Sequence, residues 1–551
     1  MRISSSSVII AVAAVPWAAA QLVTGIKAGV NEQTGERPAR LNINDLHREA
    51  GPAWDLFIQA LQAVYDTPED DLLSWFQIAG IHGLPFKPWN NVGQVEGGVD
   101  KAGYCPHGET TFITWHRPYQ TIHTHAQSIA ATYTGSAAAT YKSAAETLRF
   151  PFWDWAADSQ LPPVVTQPTI TINAPAGPTA ISNPLYSYKF ATHPFTDPDF
   201  LENASLAQFS ETKRCADAAE GSDGVNHYEI ISDTLGSAGN IVRDQVYTVF
   251  SKTTKFEDMA SEDGAGNADF EIPHNTIHQR AGGHEMLHSK VGHIQPVQWS
   301  GFDPIFWLHH ANVDRQFAMW QAIYHNNAMF TSTVRGKAVF GTPAGSVTAD
   351  SPLKPFQYEK DQFWTSKRAE TTRVFGYTYP GLNDWAVTKE ELAKQVTAMV
   401  NTLYGPKTTS LRVRQVTRTK DYAVEISVER KDLALPCAIE VLVGDTLAGE
   451  FALLEMPTEG VASANIPLQR ALDTEKVSLG RTAEEVVGDI KGKLRLVVRT
   501  SDSETPAKPS TVKSLKVEIE DRDYTPAKSL EEFPTYGEKT TWPVDIKELD
   551  D

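Results

Sequence analysis

The sequence predicts a mainly helical domain followed by a small β-sandwich, and three observations support this fold class. One set of apolar residues recurs at the three- and four-residue spacing of a buried helical face, namely Trp54, Phe57, Ile58, Leu61 and Val64. After residue 403 the segments become rich in Val and Ile or alternate polar with apolar residues, as strands do. The chain of 551 residues is also too long for one compact core.

The same patterns place the other elements along the chain. Between Pro- and Gly-rich loops such as 161–184, further helices are predicted at 72–81, 116–131, 275–280 and 307–324. One more helix is predicted at 389–403, and strands are predicted at 411–416, 422–428, 438–443 and 494–498. We therefore expect a helical domain at 21–385, a linker at 386–404, a β domain at 405–525 and an acidic tail at 526–551.

The first 20 residues have the pattern of a secretory signal peptide, with the charged Arg2, an apolar stretch at 8–14 and small residues at 18–20. This stretch is too short to span a membrane, and no later apolar run is long enough to do so. We therefore expect a secreted chain. In such a chain the sequon at Asn203 predicts a glycosylated surface loop.

Composition disfavours several classes of partner. The formal net charge of −19 argues against nucleic acid and against anionic membrane surfaces, because both repel an acidic protein. The three cysteines are too few for a disulfide scaffold. Small neutral or cationic molecules remain open as partners, and nothing in the sequence indicates an oligomeric state.

One group of histidines has the spacing of metal ligands on helices. His274 and His278 stand four residues apart, so on a helix both rings leave the same face and can converge on one ion. The adjacent His309 and His310 point about 100° apart on a helix, so only one of them can join that site. We expect His310, because Asp314 lies one turn further on the same face and can steady its ring.

A second group consists of His82, His107 and His116. The first lies where Gly83 and Pro85 end a helix, the second lies in a loop, and the third opens a helix. Three neutral imidazoles without a carboxylate suit copper or zinc better than magnesium or calcium. The two triads together predict a dinuclear metal site.

Four segments around these histidines resemble one known family. The segments are 107–119, 148–155, 274–278 and 302–315. They are similar to the copper A and copper B regions of tyrosinases and catechol oxidases, the type 3 copper proteins, and the likeness covers about residues 38–380. It implies two copper ions, held at copper A by His82, His107 and His116 and at copper B by His274, His278 and His310.

The resemblance also implies a reaction. We expect oxidation of small phenols and o-diphenols, or of o-aminophenols, to quinones with dioxygen, in pigment or secondary-metabolite formation, with hydroxylation of monophenols left open. Glu271 and Asn275 match the pair that holds a water near copper B, where a carboxylate and an amide can relay a proton. Their alternative role is to cap the helix N-terminus. Cys105 matches the cysteine that fungal members join to the copper A histidine, here His107, through a thioether, and its alternative role is an ordinary buried thiol.

Two further comparisons concern the surroundings of the site. The segment 375–380 matches the tyrosine motif that closes the family's catalytic domain, and the domain after it covers the active site and keeps fungal relatives latent. The alternative here is a domain that only stabilises. One position departs from the pattern, because many relatives have a glutamate in the copper A helix where this chain has Thr124 between His123 and His125.

Three other functions remain open. His284 and His288, with a glutamate between them, satisfy the short zinc-protease pattern, but Val291 and Ile294 stand where the extended signature needs Gly and His. The six ligands also suit a non-oxidative zinc enzyme of secondary metabolism, or a reversible oxygen carrier. We expect the loop histidines, which include His293, to line the substrate rim instead.

Overall fold

The computed structural model describes residues 21–119, 129–202, 204–263, 266–283, 290–406 and 419–550. Several predictions fall outside these residues, namely the signal peptide at 1–20, the sequon at Asn203, the strand at 411–416, Thr124 with its flanking histidines, and the protease pattern of His284 and His288. Within the described ranges, no helix combines the length and the apolar character that a membrane crossing needs.

Most helices lie in the first 403 residues. In chain order the described helices are α1 (Ile43–Glu49), α2 (Gly51–Tyr65), α3 (Trp75–Ala79), α4 (Phe112–Tyr119), α5 (Ala137–Thr147), α6 (Pro198–Leu201), α7 (Ala204–Ala207), α8 (Tyr228–Lys252), α9 (Phe256–Ala260), α10 (Glu271–Ala281), α11 (Val297–Ser300), α12 (Pro304–Ile323), α13 (Lys389–Leu403), α14 (Gln469–Thr474) and α15 (Ala483–Lys491). The helices predicted around 54–64, 275–280, 307–324 and 389–403 are thus confirmed. The one predicted at 72–81 shortens to α3, and the one predicted at 116–131 begins earlier, at Phe112.

Helices α10 and α12 form the centre of the helical part. Helix α10 is buried along its whole length, and α12 is buried from Pro304 to Trp320. A helix buried on all sides belongs in the core of a large domain. Helix α12 begins sharply, because the Asp303 side chain accepts the Ile305 N–H at 3.0 Å and Pro304 occupies the first turn. These two helices carry three of the six expected metal ligands.

The 25-residue helix α8 has no counterpart among the predicted elements. Its buried residues nevertheless follow helical spacing and include Ile231, Leu235, Val242, Val246 and Val249. It packs along α10 and also contacts the β part of the chain. Helix α8 therefore supports the central helix from the side.

The described strands of the helical part pair in two-stranded sheets. They are β1 (Thr169–Ala174), β2 (Gly177–Ser182), β3 (Ala216–Asp217), β4 (Lys290–Val291), β5 (Val334–Gly336), β6 (Gly345–Val347), β7 (Pro352–Glu359) and β8 (Gln362–Thr365). The prediction of a loop at 161–184 is wrong in part, since this segment contains the antiparallel hairpin β1–β2. The hairpin forms because Ile170 and Ile172 turn into the core on one face.

The β part consists of two antiparallel sheets. Its strands are β9 (Lys420–Glu429), β10 (Cys437–Val443), β11 (Thr446–Leu453), β12 (Val461–Pro467), β13 (Leu494–Thr500), β14 (Ser503–Ala507), β15 (Lys516–Thr525), β16 (Thr535–Tyr536) and β17 (Thr540–Pro543). One sheet has the order β11, β10, β13, β14, and the other has the order β12, β9, β15, β16, with β17 also paired to β15. The segment 526–551, expected as an acidic tail, supplies β16 and β17, because ladder hydrogen bonds use the backbone and not the side chains.

Two hydrophobic cores hold these parts together. The larger core belongs to the helices and extends through α13, in the segment expected as a linker, to Tyr404. The smaller core contains apolar residues of both sheets. Each core also takes one residue from the other part: Leu454, just after β11, packs in the helical core, and Ile272 of α10 packs in the β core. The β part is therefore docked directly on α10.

Candidate metal centre

The structure brings all six predicted histidines together in the helical part. Each of them is at most 5% exposed. The two predicted triads adjoin, because His116 stacks on His310 with ring centroids 4.4 Å apart and His107 faces His274 at 6.0 Å. This is the arrangement that a dinuclear site requires.

The first triad comes from three separate pieces of chain. His82 lies in the turn after α3 and donates its Nδ1 proton to Val297 O at 2.9 Å, and His116, in the second turn of α4, donates to Phe112 O at 2.8 Å. His107 lies in the preceding loop, and the three ring centroids are 5.3 to 5.6 Å apart. The Nε2 atoms of all three are buried without a hydrogen-bond partner. Each ring therefore has a nitrogen lone pair available for an ion.

Hydrogen bonds to backbone carbonyls connect the loops of the first triad. Tyr104 N donates to Ile81 O at 3.0 Å, and the Cys105 thiol donates to His82 O at 3.1 Å. Gly103 leaves so little space that a Cβ there would lie 1.8 Å from His82 O. Burial raises the pKa of the Cys105 thiol. The ligand atoms of Cys105, His82 and His107 lie within 4.8 Å of one another, whereas the thioether to His107 stays a prediction.

The second triad is built on α10 and α12. The Nε2 atoms of His274, His278 and His310 are 3.1 to 3.4 Å apart. The Nδ1 protons of the first two are donated elsewhere, to Asn275 Oδ1 at 2.9 Å and to Ile294 O at 2.6 Å. Three nitrogens bound tetrahedrally to one ion at ~2.0 Å stand about 3.3 Å apart. The spacing of the second triad matches this value.

Electrostatics favours a metal ion in both triads. Burial lowers the pKa of all six imidazoles, to about 3 for His116 and to about 4 for His278. The rings are therefore neutral, which is the form that coordinates a metal. Neutral imidazoles without a carboxylate among them suit copper or zinc.

His309 lies close to the second triad as a further imidazole. Its ring is buried, both ring nitrogens lack hydrogen-bond partners, and its centroid is 4.9 Å from His274 and 4.8 Å from His278. It stacks on His274 with an interplanar angle of 21°, whereas His310 directs Nε2 to within 3.4 Å of both other ligands. The geometry supports the choice of His310.

The expected contact between Asp314 and His310 is wrong. Asp314 instead accepts hydrogen bonds at 2.6 Å from Arg117 Nε and from the hydroxyls of Tyr377 and Tyr379, and the His310 Nδ1 atom has no partner. The carboxylate points towards α4 and the tyrosine motif because these supply a guanidinium and two phenols. Asp314 therefore joins α4, the helix that carries His116, to the tyrosine motif at 375–380.

Glu271 and Asn275 lie on α10, the helix that carries His274 and His278, and both are buried. Glu271 accepts the Gly108 N–H at 2.6 Å, and burial together with the nearby Glu262 raises the pKa of its carboxyl well above the usual range. Neither residue caps α10, because Asp269 Oδ1 accepts the first two N–H groups of that helix. The capping alternative is therefore wrong.

Sequence reasoning missed Glu262 and Arg430. The two side chains are 3% and 1% exposed and form an ion pair at 2.7 Å between the helical part and the β part. Glu262 Oε2 also accepts the Asn275 amide at 3.2 Å. No sequence spacing marks this contact, because the ion pair joins residues 168 positions apart.

His293 does not lie at a substrate rim. It is fully buried, its Nδ1 atom accepts the Lys213 N–H at 2.9 Å, and its ring packs 5.2 Å from Trp299. Burial lowers the pKa of His293 to about 3, so the ring is neutral and structural. The expectation fails because the aromatic residues around it draw this part of the loop into the core.

Comparisons with known proteins agree with this site. The family model described as the common central domain of tyrosinase matches residues 72–323. A tyrosinase of Podospora anserina is 33% identical over 409 residues, which cover 70% of this chain and 69% of that protein. The chain belongs to the tyrosinase family.

Other members are similar over comparable lengths. Polyphenol oxidase 3 of Agaricus bisporus is 32% identical over 394 residues, which cover 68% of this chain and 66% of that protein. A structure of latent and active mushroom tyrosinase matches with a TM-score of 0.81 at 25% identity, over 96% of this chain and 99% of that one. The resemblance found in the sequence is thereby confirmed. As a tyrosinase family member, the chain is an oxidoreductase that oxidises phenols with dioxygen, and the fold class of a helical domain followed by a β domain is confirmed.

Proposed function

We propose that the chain binds two copper ions and oxidises o-diphenols to quinones. The observation that carries this proposal is the meeting of two neutral imidazole triads in a buried site, with the nitrogens of the second triad at the spacing of ligands on one ion. His82, His107 and His116 would hold one ion, and His274, His278 and His310 the other. Two copper ions supply the redox chemistry that couples loss of two electrons and two protons from a diphenol to reduction of dioxygen.

The protein's own contribution is to fix the ligands and to exclude water. Backbone carbonyls hold the Nδ1–H groups of His82, His116 and His278, and this leaves Nε2 as the ligand atom in each. The Phe306 ring lies 4.8 Å from His82 and 4.2 Å from His310. This apolar wall keeps the space beside both triads dry and shaped for an aromatic ring.

Proton removal from the substrate is the proposed task of Glu271 and Asn275. Asn275 contacts His274, Glu271 accepts the N–H of Gly108 next to His107, and a carboxyl group with a raised pKa is a stronger base once it is ionised. A water held by this pair would accept the phenol proton. This relay supports hydroxylation of monophenols as well as oxidation of diphenols.

The substrate class remains broad in this proposal. Gln279, which follows the ligand His278, carries no charge, so it neither attracts nor repels acidic substrates. Small phenols, o-diphenols and o-aminophenols all fit this chemistry, in the formation of a pigment or a secondary metabolite. Secretion of the chain and a Cys105–His107 thioether belong to the same proposal.

We further propose that the β domain covers the site and keeps the enzyme latent. Gln279 Nε2 donates to the carbonyls of Cys437 and Leu453 at 3.2 Å, and Asn275 Nδ2 donates to Ala452 O at 3.1 Å. Backbone of β10 and β11 therefore lies against residues next to two copper B ligands. The similarity of this chain to a solved structure of latent and active mushroom tyrosinase supports this proposal.

Oxygen consumption by the purified protein tests the proposal. We expect two copper ions per chain and oxygen uptake with an o-diphenol, which increases after limited proteolysis separates the β domain. The same assay with a monophenol and an o-aminophenol defines the substrate class. Zinc in both sites without oxygen uptake would support the non-oxidative alternative, and dioxygen bound without turnover would support a carrier.

A further inference from the structure

Glu262 is the point at which the β domain and the copper B ligands are connected. Its carboxylate accepts Arg430 Nη2 at 2.7 Å on one oxygen and Asn275 Nδ2 at 3.2 Å on the other. Its backbone N–H donates to Glu271 Oε2 at 3.3 Å, and its carbonyl accepts the Ser463 N–H at 2.9 Å. One buried residue thus contacts both members of the proposed relay and two residues of the β domain.

These contacts determine which way the Asn275 amide points. A carboxylate and the carbonyl of Ala452 both require a donor, so the NH₂ group of Asn275 must face them. Its Oδ1 atom then faces His274 and accepts the Nδ1 proton at 2.9 Å. A His274 ring protonated at Nδ1 has its Nε2 lone pair free to bind an ion.

We propose that Glu262 is a positioning residue for copper B, which fixes the Asn275 amide and through it the tautomer of His274, and that Arg430 holds Glu262 in place while the β domain is docked. This inference rests on the proposed copper site. The inference goes beyond the proposal that the β domain only blocks access to the site. The docked domain is connected to a metal ligand through four side chains in contact, those of Arg430, Glu262, Asn275 and His274.

The two acceptors of the Asn275 amide belong to different parts of the chain. The carbonyl of Ala452 belongs to β11, whereas Glu262 belongs to the helical part. Separation of the β domain removes that carbonyl and Arg430 together. Glu262 then remains as an acceptor that orients the Asn275 amide. The binding of copper B should therefore depend on Glu262 most strongly in the enzyme from which the β domain has been removed.

Copper retention tests this inference on the full chain. We compare the wild type with Glu262→Ala and Glu262→Gln, loading each with copper alone and following its loss to a competing chelator. Removal of a group that orients a metal ligand typically weakens metal binding about 10–100-fold. We expect Glu262→Ala to lose one of the two ions faster by that factor while the other is retained. Glu262→Gln, whose amide oxygen can still accept from Asn275, should restore much of the retention.

Asp263→Asn is the matched control. This neighbouring acid lies 3.7 Å from Lys337, and no contact joins it to the Asn275 amide in the described chain, so it should keep both ions as the wild type does. Equal copper loss from the wild type and Glu262→Ala would overturn the inference, as would loss of both ions together. If Glu262→Ala does not fold, Arg430→Met takes its place in the same chelator assay, and we expect it to lose one ion faster than the wild type because Glu262 is no longer held by its ion pair. A wild-type chain that binds no copper would instead contradict the proposed function.

Discussion

The two triads are built in different ways. The second rests on α10 and α12, two buried helices, so its geometry follows from helical spacing. The first takes one ligand from a turn, one from a loop and one from a helix, so its geometry depends on how closely separate segments pack. This difference teaches that helical spacing alone can indicate the second triad, whereas the first triad was found from the loop and helix-end contexts of its histidines together with the resemblance.

The largest expected effect comes from a change in the helical triad. His278→Ala removes one of three converging nitrogens, so copper B should be lost and turnover should fall to background, while copper A is retained. Metal analysis and oxygen uptake measure both results. Retained turnover in this variant would contradict the assignment of the triad. If His284 and His288, which lie outside the described residues, bound the metal instead, His288→Ala rather than His278→Ala would reduce the metal content.

Asp314→Asn tests the corrected role of this carboxylate. The change leaves Arg117 buried beside Tyr377 and Tyr379 without its anionic partner, and loss of one member of a buried ion pair costs about 3–5 kcal/mol. We expect denaturant unfolding to show this loss of stability, with copper B affinity unchanged in the folded protein. Weakened copper B binding at unchanged stability would instead support the originally expected contact between Asp314 and His310.

Gly103→Ala tests the packing on which the first triad depends. The new methyl group would meet the His82 carbonyl, and overpacking costs about 1–3 kcal/mol. We expect that loss of stability, together with weaker binding of copper A and normal binding of copper B. Gly93→Ala is the control, because no atom lies within 4 Å of the methyl group added there. Equal behaviour of the two variants would contradict the account.

The smallest effect concerns pH and the docked β domain. Glu455, in the loop after β11, accepts the Val297 N–H at 3.2 Å, and burial raises its pKa from 4.5 to about 7. A carboxyl group that is harder to ionise when docked favours docking at low pH. Docking should therefore be strongest below pH 4.5 and should weaken as the pH rises through 7. Protease accessibility of the site across this range measures the effect, and Glu455→Gln should remove this part of the pH dependence.

The sequence alone predicted a helix correctly where a single periodic pattern of apolar residues was present. Helices α2 and α12 were predicted from apolar spacing, and the six histidines were found from spacing and resemblance together. Helix α8 has the same apolar spacing, in Ile231, Leu235 and Val242, but it was not predicted because no functional motif lies on it. The strands β16 and β17 could not be read from composition, because they are held by backbone pairing.

Contacts between distant segments could not be predicted at all. Asp314 forms an ion pair with Arg117 and hydrogen bonds with the tyrosine motif, and Glu262 forms an ion pair with Arg430 of the β part. Tertiary packing decides these contacts, because it sets the direction of each side chain and the charges near it. Helical spacing fixes which face a residue occupies. It does not determine which of several neighbours a carboxylate on that face contacts.

A crystal structure of the copper-loaded protein tests the central claim most directly. We predict two ions about 3.5–4 Å apart, as in other two-metal sites. One should be bound by Nε2 of His82, His107 and His116, and the other by Nε2 of His274, His278 and His310. A single ion held by the four-histidine group of His274, His278, His309 and His310 would contradict the account.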